Sequence, residues 1–397
     1  MGIVMTTNKY DNQLKTFLRI LNAYPKSMQL ARFLPGYFRE NKQMGSGDRR
    51  TASRLLYNYF RLGRACSHLP DGERIVLAEF LCEGTSSLFL EHINPELFAD
   101  ADQPLPGRIA YLEQANFGFK LDEVYPFTAH FSDGINKRDF LTSIFVQPDL
   151  FIRIHPGKET RVKRTLDLAE IKYTKISENT LALPNGAKLD QLFPEIVNGT
   201  GLFEVQDLSS QYAGTFFEPH QYDYWWDSCA ASGGKALNLF HQQKNIKLLV
   251  TDVRENILFN LDERFKRAGL TAYQKKVLDL TKDPTLYLNS YMFDGIILDA
   301  PCTGSGTWGR SPELISQFDT QQILSFQRLQ RSIAGNLIKF LKPGKPLIYI
   351  TCSAFKEENE ENVAYLVKTY DLKLEKQEVI KGYEHKADSM FVARLIR

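Results

Sequence analysis

Apolar residues recur along the 397-residue chain in three successive rhythms. From about Asn8 to Phe131 they keep helical spacing. Leu14, Phe17, Leu18 and Leu21 share one face, and Ala52, Leu55, Leu56 and Tyr59 share another. Arg49, Arg50, Arg54 and Arg61 fall largely on the far side of that later helix. From about Phe140 to Leu202 the pattern shortens. Residues 150–154 read as a strand stopped by His155-Pro156-Gly157, and 158–170 read as a helix. Two strand-like pieces follow, around Tyr173 and Leu181-Ala182-Leu183, closed by the turn Pro184-Asn185-Gly186. From Tyr222 onward, short apolar strands at 222–226, 247–251, 273–278, 293–298 and 346–350 alternate with amphipathic helices. Residues 372–380 and 390–396 predict a closing antiparallel pair. The pattern predicts a multidomain chain: a helical region (1–135), a small α+β unit (136–205) and an α/β, Rossmann-like domain (206–397) on a mostly parallel, doubly wound sheet.

Composition changes this picture little. Hydrophobic residues at 43% and charged residues at 24% are ordinary for a globular protein, and the net charge of +2 does not announce a nucleic-acid partner. Charge placement says more. Arg39, Lys42, Arg49, Arg50, Arg54, Arg61 and Arg64 face only Glu40 and Asp48, and a second cluster holds Arg153, Lys158, Arg161, Lys163 and Arg164 against Glu159. Such clusters can neutralise phosphates, although a solvated helix face is the commoner meaning of a charge run. The five cysteines are widely spaced, without a CxxC pair, which argues against disulfides or a zinc site and for a reducing cytoplasm. No apolar run approaches membrane-spanning length, no signal peptide is expected, and the myristoylation-like start Met1–Thr6 is read as accidental.

Chemistry concentrates where the later strands end. The first runs into Asp227-Ser228-Cys229-Ala230-Ala231-Ser232-Gly233-Gly234-Lys235. A glycine pair at a strand-to-helix turn lets backbone approach a ligand, though a tight structural turn is about as common. The second ends in Asp252, placed for a ribose hydroxyl pair, and Asp279 follows the third, placed for an adenine amino group. Each alone could be a helix cap; the series favours an adenosine-containing cofactor. The fourth strand leads to Asp299-Ala300-Pro301-Cys302 and the fifth to Thr351-Cys352-Ser353. Two neighbouring strands thus bring a thiol each to one rim. Cys66, Cys82 and Cys229 lack such company and are assigned to structure.

Together these motifs resemble the Sun/Fmu family of RNA cytosine-5 methyltransferases, most closely its bacterial small-subunit ribosomal RNA branch. The likeness extends through Val205-Gln206-Asp207, Arg310-Ser311-Pro312-Glu313, Glu358-Asn359 and Phe391-Val392-Ala393-Arg394-Leu395. Upstream, Pro148–Ile154 resembles the small domain that precedes the family's catalytic domain, and Asp48-Arg49-Arg50 with Leu55-Leu56-Tyr57 a NusB-like RNA-binding domain. Ser232 stands where the family usually has Pro, Ala236 where it has Thr, and Gly309 where a second Arg is frequent.

The resemblance implies a class I methyltransferase domain with a seven-stranded sheet and S-adenosyl-L-methionine as cofactor, held by Cys229, Ala230, Ala231, Ser232, Gly233, Gly234, Lys235, Asp252, Asp279 and Asp299. It implies Cys352 as the thiolate that attacks cytosine carbon 6, with Cys302 assisting proton loss and release. Asp299, paired with Lys235, would hold the pyrimidine edge. RNA is the expected partner and a monomer the expected state, with no metal and no membrane. Rival readings are a DNA cytosine-5 methyltransferase, in which Cys302 would attack, a catalytically silent RNA-binding or ribosome-assembly protein, and a transfer RNA methyltransferase. A small-molecule methyltransferase explains neither the cysteines nor the upstream regions.

Overall fold

The computed structural model describes residues 8–194 and 201–397, so the Met1–Thr6 pattern lies outside the described residues. The chain divides into two compact units, neither continuous in sequence. One comprises Met1–Ala129, Asn136–Gln147 and Trp308–Asp319; the other comprises His130–Ile135, Pro148–Thr307 and Thr320–Arg397.

In the first unit the helices Lys9–Ala23, Leu30–Glu40, Ser46–Arg61 and Asp71–Cys82 lead the fold. Ala52, Leu55, Leu56 and Tyr59 are buried on one face, as their spacing predicts, whereas Phe17 and Ile20 form the buried line of the first helix. Leu14, Leu18 and Leu21 are only half-buried. The segment Trp308–Asp319 supplies Trp308 against Tyr125 (ring centroids 5.3 Å) and Phe318 against Phe127 (5.1 Å). Its Glu313 accepts the Leu30 backbone N–H at 3.0 Å, so a carboxylate sits at a helix N-terminus, where the dipole favours negative charge.

The basic run of this unit behaves differently from the sequence expectation. Arg61 is 1% exposed and donates to the Ile144 carbonyl at 2.5 Å and to Gln147 Oε1 at 2.7 Å. Arg54 pairs with buried Glu79 at 2.6 Å, and Arg64 donates to the Phe318 carbonyl while lying over the Phe127 ring. These guanidiniums satisfy internal carbonyls and carboxylates, because a buried acceptor needs a donor. Arg39, Lys42 and Arg50 remain exposed.

The second unit contains both sheets. A four-stranded antiparallel sheet has the order β2-β3-β1-β4, with β1 at Leu150–Ile154, β2 at Thr174–Lys175, β3 at Thr180–Leu183 and β4 at Phe203–Val205. Val162 and Leu166 of helix Glu159–Leu168 pack on Ile152, Ile154 and Leu181. Arg153 is 4% exposed and so leaves the second basic cluster.

The larger sheet has seven strands: β5 (Tyr224–Asp227), β6 (Lys247–Asp252), β7 (Gln274–Val277), β8 (Gly295–Asp299), β9 (Pro346–Thr351), β10 (Lys373–Ile380) and β11 (Met390–Ile396). Their order is β10-β11-β9-β8-β5-β6-β7, parallel from β9 to β7 and antiparallel through β11 and β10. Both faces carry buried apolar clusters, as the unbroken hydrophobic strands predict. The first strand starts two residues later than expected, because exposed Tyr222 takes a positive φ of 72°. Since β5 pairs with β6 on one side and β8 on the other, the connections diverge there. A crevice at the carboxyl end of the strands is the geometric consequence. No helix among the described residues is long and apolar enough to cross a membrane.

Candidate active site

The loop after β5 turns sharply. Ala231 has φ 45° and Gly233 φ 82°, both left-handed, and the Gly233 N–H closes a turn onto the Ala230 carbonyl at 2.7 Å. A Cβ at Gly233 would stand 2.3 Å from the Phe265 ring, so glycine is required by both conformation and space. The Ala231 N–H then donates to Asp252 Oδ2 at 3.0 Å, which ties the loop to the end of β6.

Asp252 is 5% exposed and receives four donors: the Ala231 and Arg254 backbone N–H groups, Arg254 Nε at 2.9 Å and Arg254 Nη2 at 3.1 Å. Burial works to raise its pKa, but the Arg254 hydrogen bonds outweigh it and hold the carboxyl below its ordinary range. Asp279 accepts from the Thr281 backbone and hydroxyl, which lowers its pKa; it caps that turn as well as facing the crevice. A cavity of about 500 Å³ opens among these strand ends, a size that suits a small organic ligand. Its wall includes Cys229, Ala231, Asp252, Asp279, Asp299, Cys302 and Cys352. Ala230, Ser232, Gly233, Gly234 and Lys235 are not on that wall. Lys235 instead lies beside it, with Nζ 2.9 Å from Asp299 Oδ2 and 2.9 Å from Ser210 Oγ. Beneath them Asp227 is fully buried, and burial together with the charge of Asp299 pushes its pKa up to about 8.

The two strand-end cysteines meet. Cys302 Sγ and Cys352 Sγ are 3.3 Å apart, within thiol hydrogen-bond distance. Contact with Cys352 and burial both push the Cys302 thiol well up. Each cysteine has its own support. Buried Glu358 accepts the Thr303 N–H at 3.0 Å, the Thr303 hydroxyl at 2.6 Å and Gln330 Nε2 at 2.9 Å, fixing the chain after Cys302. Asn359 donates to the Ser353 carbonyl at 2.9 Å and to Ser132 Oγ at 2.7 Å, bracing the chain after Cys352. Ser132 belongs to His130–Ile135, whose backbone also pairs with Ala354 and Lys356 at 2.8 Å each.

Sequence reasoning missed Arg254, Ser210 and the support from His130–Ile135. The first stands two residues from Asp252 and was within reach of a charge argument. The last acts across some 227 positions and leaves no local signal. Among the described residues no group of three or more His, Cys, Asp and Glu forms a metal site.

Residues 214–396 match the family model described as 16S rRNA methyltransferase RsmB/F. A ribosomal RNA small subunit methyltransferase B of Shewanella oneidensis is 31% identical over 282 residues, 66% of this chain and 63% of that protein. The chain therefore spans less than two thirds of the length of that relative. Among solved structures, PH0851 aligns over 97% of both chains with a TM-score of 0.70 at 20% identity. NSun6 from Pyrococcus horikoshii, solved with SFG, covers 68% of this chain and 96% of its own with a TM-score of 0.58 at 19% identity. At such identities these two likenesses concern the fold alone.

Proposed function

We propose that this chain, whose residues 214–396 match the family model described as 16S rRNA methyltransferase RsmB/F, is an S-adenosylmethionine-dependent RNA (cytosine-5-)-methyltransferase acting on small-subunit ribosomal RNA. The observation that carries the reading is the 3.3 Å approach of Cys302 and Cys352 on the wall of a cavity that also presents Asp252 and Asp279. Carboxylates at two successive strand ends match the ribose hydroxyls and amino group of an adenosine. The methyl donor supplies an electrophilic methyl group; everything else is done by side chains of this chain.

Carbon 5 of cytosine is a poor nucleophile until a thiolate adds to carbon 6. In this reading Cys352 forms the S–C6 bond, which places electron density on carbon 5 for methyl capture. Cys302 then assists loss of the carbon 5 proton, after which the S–C6 bond breaks and the methylated base leaves. Asp299, oriented by Lys235, accepts from the pyrimidine edge. The base must leave its stack to reach these groups, so the target is a loop or single-stranded cytosine.

Residues 1–135, with NusB-like character, and 136–205 present the RNA to the catalytic part, 206–397. Exposed cations suited to phosphates include Arg39, Lys42 and Arg50 in the first and Lys158 and Arg164 in the second. We place the protein in the cytoplasm as a monomer. Incubation with methyl-labelled cofactor and ribosomal RNA, transfer RNA or DNA tests the reading. Label in the first supports it; label confined to DNA or transfer RNA moves the substrate, and absence of both label and cofactor binding favours a silent RNA-binding protein.

A further inference from the structure

Two hydrogen-bonded lines run from the four-stranded sheet to the loop after β5. In the first, His155 Nε2 lies 3.0 Å from Glu204 Oε1, Arg264 Nε donates to Glu204 Oε2, and Arg264 Nη1 reaches the Ser232 carbonyl at 3.3 Å and hydroxyl at 3.0 Å. In the second, Arg153 Nε donates to Gln206 Oε1 at 2.8 Å, and Gln206 Nε2 donates to the Gly234 carbonyl at 3.3 Å. Glu204, Arg153 and Gln206 are all buried. At this contact the Glu204 side chain is 7% exposed and that of Arg264 15%, so the ion pair is largely shielded from water. The guanidinium of Arg264 is therefore fixed at one edge by Glu204 and offers its other edge to the loop.

The loop needs that support. Ala231 sits at φ 45° without being glycine, a conformation that persists only where surroundings impose it. Ser232 follows it with no ring to restrict its backbone, whereas a proline there would lock φ near about −65°. Arg264 also comes from the helix Glu255–Ala268 that places Phe265 beneath Gly233, so one helical turn contacts two consecutive loop residues.

We propose that Arg264 is a positioning residue which, anchored on Glu204, holds the cofactor loop in its binding shape in place of a rigid backbone at position 232. The inference rests on reading that loop as the S-adenosylmethionine site. It gives the small sheet a second task besides any contact with RNA: its strand β4 sets the geometry of the methyl-donor pocket.

The test uses the full chain and three readouts: deuterium uptake of the 230–234 segment without ligand, calorimetric binding of S-adenosylmethionine, and melting temperature. Arg264→Lys keeps the ion pair with Glu204 but cannot fork to Ser232 as well. It is expected to speed uptake in 230–234 and raise the dissociation constant about fivefold with melting nearly unchanged. Adding Ser232→Pro to Arg264→Lys should return both readouts towards the unmodified protein. Unchanged uptake in Arg264→Lys, or no rescue by Ser232→Pro, overturns the proposal. Should Arg264→Lys fail to fold, Ser232→Ala removes only the hydroxyl contact and must still speed uptake. If the unmodified chain does not bind S-adenosylmethionine, the cofactor reading falls, and uptake alone judges the brace.

Discussion

Arg254 grips both oxygens of Asp252, with Nε 2.9 Å from Oδ1 and Nη2 3.1 Å from Oδ2. The same carboxylate is the group suited to a ribose, and its acceptor positions are already filled. A bound ribose must therefore displace the guanidinium, which is 55% exposed and can swing into water. Arg254→Ala is expected to tighten S-adenosylmethionine binding about threefold, the modest scale of an exposed ion pair. Weaker binding by calorimetry would show instead that Arg254 contacts the cofactor.

The roles of the two cysteines separate by trapping. Cys302→Ala should accumulate a covalent RNA adduct, visible as a denaturant-resistant band, because the S–C6 bond forms but is not released. Cys352→Ala should give none. A band seen only with Cys352→Ala reverses the assignment and points to the DNA-type use of Cys302.

Lys235 bridges Asp299 and Ser210, both at 2.9 Å, and is nearly buried while doing so. Lys235→Met should lower the methylation rate about a hundredfold, with cofactor binding changed much less. Equal losses in both would mean that the lysine serves the cofactor and not the base.

Asp227 carries a pH signature. Its pKa is raised from 3.8 to about 8 in the folded protein. Between those values the unfolded chain has released a proton that the native state keeps. Stability from this group therefore falls as pH rises through the window, by about 1.4 kcal/mol per pH unit at most. It is fully present below pH 3.8 and levels off above about 8. Asp227→Asn should flatten the dependence, gaining melting temperature relative to the unmodified protein at pH 8 more than at pH 5. Parallel profiles would show that this carboxyl ionises normally.

Arg61 tests the internal use of the basic run. Arg61→Ala leaves buried carbonyls without their donor and should destabilise the helical unit by about 3 kcal/mol in urea unfolding. Arg50→Ala, at an exposed position, should stay within about 0.5 kcal/mol. Similar small effects would place Arg61 on the surface.

Strands β5, β6, β8 and β9 were legible because they are apolar on both faces and bounded by turn residues, and β9 extends one residue further than expected; the antiparallel strand Met390–Ile396 has the expected limits. The meeting of Cys302 and Cys352 followed from their places after adjacent strands. What local pattern could not show was the destination of charged side chains. Arg61 and Arg153 read as surface cations, since sequence spacing records a face and not the carbonyls that a distant segment brings to it. Arg61 finds its acceptors 83 and 86 positions away. Ser232 read only as a departure from the family's Pro, because its partner Arg264 lies 32 residues on.

The segment Trp308–Asp319 ends up among the N-terminal helices although it is flanked on both sides by strands and helices of the second unit. Dissection of this protein at a single site is consequently self-defeating. A fragment starting at Pro148 would retain Trp308, Ile315 and Phe318 but strip away Tyr125 and Phe127, leaving sticky aromatic surface, and would also lose Ser132 from beneath the Cys352 turn. Poor solubility of such a fragment would report on interleaved connectivity and not on an unstable catalytic fold. A soluble catalytic fragment needs residues 130–135 restored and 308–319 replaced by a polar linker.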